Sequence, residues 1–575
     1  MRTELDRRMD AIMAGLTGEG GALALGTATR FGVTLPTIAA APPSLPPYFA
    51  HFCHEHRDAT FLVSGDERLT FAEVYAVAGG VARALITTHA LAKGARVGIA
   101  MRNSPSWIAL YMGIVMAGGV ATLLNGWWQS DELATAIGEV DCTLVFADPP
   151  RARRLEAVAG LTATVIVVDD TLPLATALAD VTAGAGANAG GLALPDIGAE
   201  DHATILFTSG STGQSKGALA DHRGVVQAIF NYLAQAMMMV GLATQDGNAP
   251  EGQPSTLLTV PLFHVTAEVP VFLQSFAMGR KLVLMPKWDA ETAMRLIAAE
   301  RITYFVGVPL MSFEILTHPR RADYDLSTVT DFAAGGAPRP EEHVRRIDAE
   351  MRGPDGTGGA PLIGYGLTET NGVGTGNWRS NYLAKPNSAG RPSAPLVDLA
   401  ILDDDGHAVA QGERGEVCLR TICNFREYWN RPEATAAAFT ADGYFRTGDI
   451  GYLDADGYMF IVDRKKDIII RGGENISCQE VEAALYEHPG VAEAAVFGLA
   501  DERFGEVPGA VVHPRDGEML TEAALCAFLK EHVAAFKVPQ RIWIAAAALP
   551  RLGTEKIDKV ALKNTYRALA ARTAA

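Results

Sequence analysis

The stretch ATILFTSGSTGQSKG, residues 203–217, decides how the chain is read. Its first five residues are apolar and β-favouring, the pattern of a strand buried on both faces. Thr208 to Gly217 then place three glycines, five hydroxyl residues and one lysine in ten positions. Closely spaced glycines let successive backbone N–H groups converge on an anion, hydroxyls donate to its oxygens, and a lysine adds charge. Thr208, Ser209, Gly210, Ser211, Thr212, Gly213 and Lys216 are therefore candidate phosphate ligands. The spacing is not that of a Walker A loop. A flexible Gly/Ser linker has a similar composition, but a linker would not sit directly on a buried strand.

Outward from this point, ARVGIAM (95–101), GVATLL (119–124), CTLVFA (142–147) and ATVIVVDD (163–170) also read as buried strands, with helices such as DELATAIGEV (131–140) between them. The alternation predicts parallel sheets covered by helices on both faces. Trp107 to Leu124 is 18 residues without a charge, the lower limit for a membrane span. Gly118 and Gly119 divide it, so a buried helix feeding a buried strand is expected instead, with no integral membrane association. The Gly/Ala-rich Thr182 to Gly198 reads as a surface loop. After the short strands GEVCLR and GYLDADGYMFIV comes a charged knot, Asp463-Arg464-Lys465-Lys466-Asp467, and then a compact α/β unit. The expected division is residues 1–462 and 463–575, with a hinge between them.

An apolar content of 48% with 20% charged residues excludes a disordered, collagenous or coiled-coil chain. Forty-nine basic against 66 acidic residues give a net charge of −17, whose field repels nucleic acid and anionic membrane, so neither is an expected partner. Six scattered cysteines make no disulfide framework, which fits a reducing, cytoplasmic location. The N-terminal MRTELDRRMDAIMAGL carries acids where a signal peptide would be apolar, and Leu5, Met9, Ile12, Met13 and Leu16 predict a short amphipathic helix. In HFCHEH (51–56) a helix would spread the His and Cys side chains around its cylinder, and Cys418 and Cys423 lack a partner pair, so zinc is not expected.

Three further motifs carry chemistry. In GYGLTET (364–370) an aromatic between glycines can lie flat on a base, and Glu369 can hold Mg²⁺ through oxygen. In YFRTGD (444–449) a carboxylate after a tight Thr-Gly turn can accept both hydroxyls of a ribose. Near the C-terminus, LPRLGTEKIDK (549–559) presents Lys556. Each taken alone also reads as a solvated turn or surface ion pair.

In this order, from about Pro46 to Asn564, the motifs resemble those of the superfamily of acyl-CoA synthetases, peptide-synthetase adenylation domains and beetle luciferases. The resemblance departs at Ser215, where proline is usual, and at Glu555, where glycine is usual; residues 1–45 lie outside it. It implies a large N-terminal domain of parallel-sheet α/β subdomains with a small β-barrel-like subdomain, and a small mobile α/β C-terminal domain. It also implies roles. Tyr365 stacks on adenine, Thr368 contacts phosphate, Glu369 holds Mg²⁺, Asp449 binds ribose with Arg464 as partner, and Gly335, Gly336 and Ala337 join the cofactor-binding set. Lys466 is the pivot, Lys556 the adenylation lysine, Gly472 and Gly473 close on the pantetheine arm of CoA, and His264 in PLFH stands near the acyl carboxylate.

The implied activity is an ATP-dependent acid–CoA ligase working through acyl-AMP, with ATP, Mg²⁺ and coenzyme A as its requirements. The segments HVTAEVPVF (264–272), FAAGGAPRP (332–340) and LTETNGVGTGN (367–377) are small and apolar, which favours a hydrophobic acid, fatty or aryl; Glu268 is the one acidic side chain there that could suit an ammonium group. A ligase delivering acyl-AMP to a carrier protein, and a non-catalytic ATP- or acyl-AMP-binding sensor, are the alternatives. Oligomeric state is left open, a homodimer included.

Overall fold

The computed structural model describes residues 2–183, 193–208, 215–352, 358–465, 467–471, 474–501, 503–552 and 556–574. Two large sheets dominate it. The first has seven strands, in the spatial order Glu427–Tyr428, Lys216–Asp221, His202–Thr208, Val120–Leu123, Arg96–Ala100, Leu144–Ala147 and Thr164–Val167. The last five run parallel; the two at the other edge are antiparallel. The second sheet has nine strands, of which six neighbours are parallel, from Ala360–Gly366 across to Thr60–Ser64.

The four strands expected from ARVGIAM, GVATLL, CTLVFA and ATVIVVDD all form in the first sheet, and DELATAIGEV lies in the helix Ser130–Glu139. The uncharged run from Trp107 divides as its glycines require. Ser104 caps the helix Pro105–Met116, every residue of which is buried, and Gly118 at φ +80° turns the chain into the strand Val120–Leu123. Among the described residues one helix is long and apolar enough to cross a membrane, His222–Gln245, and 61% of its most apolar window is buried against the rest of the fold. One apolar core continues between the two large sheets, built on Phe61, Phe71, Trp107, Tyr111, Phe272 and Phe276.

A four-stranded antiparallel meander follows, Asp398–Leu402, Gly415–Arg420, Phe445–Leu453 and Met459–Arg464. The last strand runs through Asp463 and Arg464, so the irregular part of the charged knot begins at Lys465. Beyond it, strands Ile469–Arg471, Glu474–Ile476, Val491–Asp501, Gly505–Pro514 and Arg541–Ile544 make a fifth sheet with its own apolar core, flanked by helices Cys478–Glu487, Glu522–His532 and Lys559–Ala574.

The N-terminal helix spans Glu4–Thr17, capped by Thr3 with a reciprocal bond from Asp6. A hairpin, Leu25–Arg30 with Val33–Ile38, follows it. In the helix Leu45–Glu55, His51 and His54 face solvent while Cys53 is buried, the spread expected of HFCHEH.

Candidate active site

In an open parallel sheet the carboxyl ends of the strands form a natural crevice. Three predicted motifs leave the nine-stranded sheet there. The strand Asp331–Gly335 ends in Gly335 and Gly336, its neighbour Ala360–Gly366 ends in Tyr365, and Ser255–Leu258 leads to His264. Gly335 and Gly364 are register partners. A hairpin from Gly366 to the strand Gly374–Trp378 brackets the turn Thr368–Thr370 that carries Glu369. Only glycine fits at its mouth: a Cβ on Gly366 would stand 1.8 Å from the Gly372 carbonyl oxygen.

The antiparallel meander supplies the facing wall. Asp449 and Arg464 are cross-strand partners, and Arg464 Nε lies 3.3 Å from Asp449 Oδ1. The Tyr365 hydroxyl donates to Asp449 Oδ2 at 2.6 Å. Burial and the neighbouring Asp449 hold the Tyr365 phenol well above its usual range, so it stays a donor. Two motifs 84 residues apart in sequence thus meet on one carboxylate.

Lys556 reaches the same place from the far end of the chain. The Leu552 N–H donates to the Lys556 carbonyl and Arg551 bridges to Ile557, closing a tight loop that presents the lysine. A Cβ on Gly336, whose φ is +78°, would lie 3.2 Å from Lys556 Nζ. Burial, reinforced by the Arg464 charge, pushes the Lys556 ammonium down to about 8. His264 lies close enough to feel that ammonium; burial first, then Lys556, push its imidazole down to about 3, and its buried Nε2 has no hydrogen-bond partner among the described residues. It is a neutral ring at any physiological pH.

At the other side of the cleft, Thr208 and Lys216 are register partners on antiparallel strands, so the ends of the glycine-rich segment are pinned together. Ser209, Gly210, Ser211, Thr212 and Gly213 lie outside the described residues, as do Lys466, Gly472 and Gly473. Thr368 is half-buried on the turn beside Glu369, and Ala337 follows Gly336 on the same loop. Glu369 is buried, which raises its carboxyl, and its Oε1 accepts from the Tyr428 hydroxyl at 2.7 Å. Tyr428 is absent from the sequence-predicted set. It sits in REYWNRPEAT, which has the look of an ordinary strand end, and the partnership forms only because Glu427–Tyr428 pairs with Lys216–Asp221.

Glu268 is fully buried in a π-helical turn, Glu268–Leu273, where Tyr111 donates to its Oε1 at 2.8 Å and burial raises the carboxyl to about 8. A neutral acid does not suit an ammonium group. Thr266 stands beside Gly335, and Val265 and Tyr232 stand beside Gly372, the Tyr232 hydroxyl donating to the Gly372 carbonyl at 2.5 Å.

Glu369 is a hard oxygen donor with no basic residue within ion-pair distance among the described residues, a donor that fits Mg²⁺. Asp449 with Tyr365 offers a ribose and a base platform, and Lys556, Arg464 and Lys216 concentrate positive charge in a chain whose net charge is −17.

The profile of the AMP-binding enzyme family matches residues 49–429, and that of the AMP-binding enzyme C-terminal domain matches 480–556. The chain is similar to the long-chain-fatty-acid–CoA ligase FadD13 of Mycobacterium tuberculosis, 34% identical over 88% of this chain and 94% of that protein. It is also similar to a feruloyl-CoA synthase of an Amycolatopsis species, 33% identical over 88% and 96% of the two chains. Among solved structures, ATP-bound MatB from Rhodopseudomonas palustris superposes with a TM-score of 0.78 at 29% identity, covering 91% of this chain and 99% of that one. The chain belongs to the AMP-binding enzyme family.

Proposed function

We propose that this enzyme is an ATP-dependent acid–CoA ligase, joining a hydrophobic carboxylic acid to coenzyme A through an acyl-AMP intermediate with release of AMP and pyrophosphate. The observation that carries the proposal is Lys556 entering the cleft at Gly336, beside the Tyr365–Asp449–Arg464 cluster. The relatives named for long-chain fatty acids and for ferulate, the apolar acyl side of the cleft and the neutral Glu268 support a fatty or aryl acid over an amino acid.

Attack of a carboxylate on the α-phosphorus needs alignment and charge neutralisation rather than a strong base. Tyr365 holds adenine by its face, and Asp449 accepts from the ribose hydroxyls. Thr208, Ser209, Gly210, Ser211, Thr212, Gly213, Lys216 and Thr368 hold the β- and γ-phosphates. Gly335, Gly336 and Ala337 form the backbone wall between nucleotide and acid. Glu369 would hold Mg²⁺, which when bound neutralises phosphate charge. Lys556 bridges the acid and the α-phosphate, while His264 Nε2, without a hydrogen-bond partner among the described residues, orients the carboxylate.

Residues 463–575 then turn about Lys466 as a mobile unit. The turn withdraws Lys556 and brings Gly472 and Gly473 to the cleft, and the CoA thiolate displaces AMP. The predicted result for Lys556→Ala is loss of acyl-AMP formation with thioester formation from supplied acyl-AMP intact. Survival of adenylation in that variant would falsify the assignment. A panel of fatty and aryl acids with ATP and CoA, following pyrophosphate and thioester together, tests the overall reaction. Pyrophosphate without thioester would point to delivery onto a carrier protein, and neither product would point to a sensor.

A further inference from the structure

Lys216 and Glu369, side chains of opposite sign, line one half-buried cleft, yet no ion pair joins them among the described residues. What stands at both is one side chain. The Tyr428 hydroxyl donates to Glu369 Oε1 at 2.7 Å, and Lys216 Nζ lies 4.7 Å from the centroid of the same ring. From this we infer that Tyr428 is a positioning residue that keeps the two charges apart, leaving the ammonium for phosphate and the carboxylate for a divalent cation. The inference rests on the roles proposed above for Lys216 and Glu369.

The backbone around Tyr428 is built to hold it there. Ala218 is its register partner, the Trp429 N–H donates to the Gly217 carbonyl at 2.8 Å, and the Arg426 N–H donates to the Leu219 carbonyl at 2.7 Å. On the other side the Phe425 N–H donates to the Glu369 carbonyl at 2.6 Å. Residues 425–429 are therefore laced between the strand that begins at Lys216 and the turn that carries Glu369. The Tyr428 N–H donates to Thr435 Oγ1, and its ring packs 4.7 Å from that of Phe425, so the side chain is fixed from behind as well.

The physical need is plain. Attraction between opposite charges in a half-buried cleft is several times stronger than in bulk solvent. Without a spacer, the ammonium and the carboxylate would neutralise each other before any nucleotide arrived. A phenol is suited to the task because its face attracts a cation while its edge hydroxyl donates to an anion. It satisfies both charges weakly enough to leave each available to a ligand.

The test uses the full-length enzyme and calorimetric binding of a non-hydrolysable α,β-methylene ATP analogue across a Mg²⁺ series. Tyr428→Phe keeps the spacer and loses the hydroxyl. It should raise the Mg²⁺ concentration for half-maximal binding by about tenfold, the worth of one hydrogen bond to a charged group, and leave affinity at saturating Mg²⁺ within about twofold. Tyr428→Leu removes the spacer, and affinity should fall by about tenfold or more even at saturating Mg²⁺. Adding Glu369→Gln to Tyr428→Leu removes the partner that captures Lys216, so Mg²⁺-free affinity should return to within about twofold of Glu369→Gln alone. Far-UV and near-UV circular dichroism of every variant should match the parent, which reports an intact fold. A parental Mg²⁺ requirement in Tyr428→Phe, or no recovery in the double variant, overturns the inference. If Glu369→Gln itself leaves the Mg²⁺ requirement unchanged, it is the metal assignment of Glu369 that fails.

Discussion

Lys556 is a lysine whose surroundings favour its neutral form, since burial and Arg464 outweigh the attraction of Asp449 and bring it to about 8. The role proposed for Lys556 in adenylation uses the charged amine, so kcat/KM for acyl-AMP formation should fall as pH rises through about 8. Pyrophosphate release measured from pH 6 to 10 would reveal it. Lys556→Arg should move the fall upward by more than about one pH unit, because a guanidinium stays charged. The same fall should be missing when acyl-AMP is supplied and only thioester formation is followed. The sign for stability is opposite to the usual lysine case. The unfolded chain binds this proton up to about 10.5 and the folded chain only to about 8, so the contribution of this group rises with pH across that window. None of this can be read from LPRLGTEKIDK, which identifies the lysine but not the Gly336 wall and Arg464 charge that set its proton affinity.

The hairpin joining Ala360–Gly366 to Gly374–Trp378 holds Tyr365 at the base of the cleft and Glu369 over it. Its closure depends on backbones passing too near for side chains: a Cβ on Gly374 would stand 2.4 Å from the Tyr365 carbonyl oxygen. Gly366→Ala, whose Cβ meets backbone rather than a movable side chain, should cost about 2–4 kcal/mol in urea unfolding. It should also weaken binding of ATP, because Tyr365 and Glu369 both ride on the displaced strand. The elements themselves were largely legible in the sequence, because buried parallel strands are short apolar runs and the motifs sit at their ends. Which strands become neighbours was not. Tyr428 meets Glu369 across 59 residues of sequence, and no local pattern in REYWNRPEAT announces that its strand pairs with the one leaving Lys216. Asp6 is similar. An acid on the polar side of an amphipathic helix reads as solvated, yet Asp6 is 1% exposed, because Arg391, Asn381 and Tyr458 converge on it.

Across the whole molecule, the segment preceding the matched family region is tied in by ion pairs of Asp6, Arg8, Asp10 and Arg30. Arg30 forks both oxygens of Asp221, at 3.2 and 3.0 Å, and also donates to the Ile422 carbonyl at 2.8 Å. Asp221 in turn caps the helix His222–Gln245 at the end of the strand that begins with Lys216. Removing Arg30 leaves the buried Asp221, among the described residues, with only the longer, 3.5 Å pair to the half-exposed Arg426. Arg30→Leu should therefore lower the free energy of unfolding by about 3–5 kcal/mol, read by chemical denaturation. Arg8→Leu, which breaks the half-exposed pair with Asp246 and a hydrogen bond to Gln245, should change it by less than about 1 kcal/mol.

The Asp6 contacts also set an order of events. Tyr458 lies 452 residues further along the chain than the carboxylate it helps to bury. At about 5–20 residues per second, a ribosome delivers that tyrosine roughly 20 to 90 seconds after Asp6 has emerged. Before that, the first helix, with Met9 and Met13 on its inner face, has the earlier-made helix His222–Gln245 to pack on, through Ile12 at Gly241 and Arg8 at Asp246. The beginning of the chain therefore completes its contacts only when the segment around Tyr458 arrives.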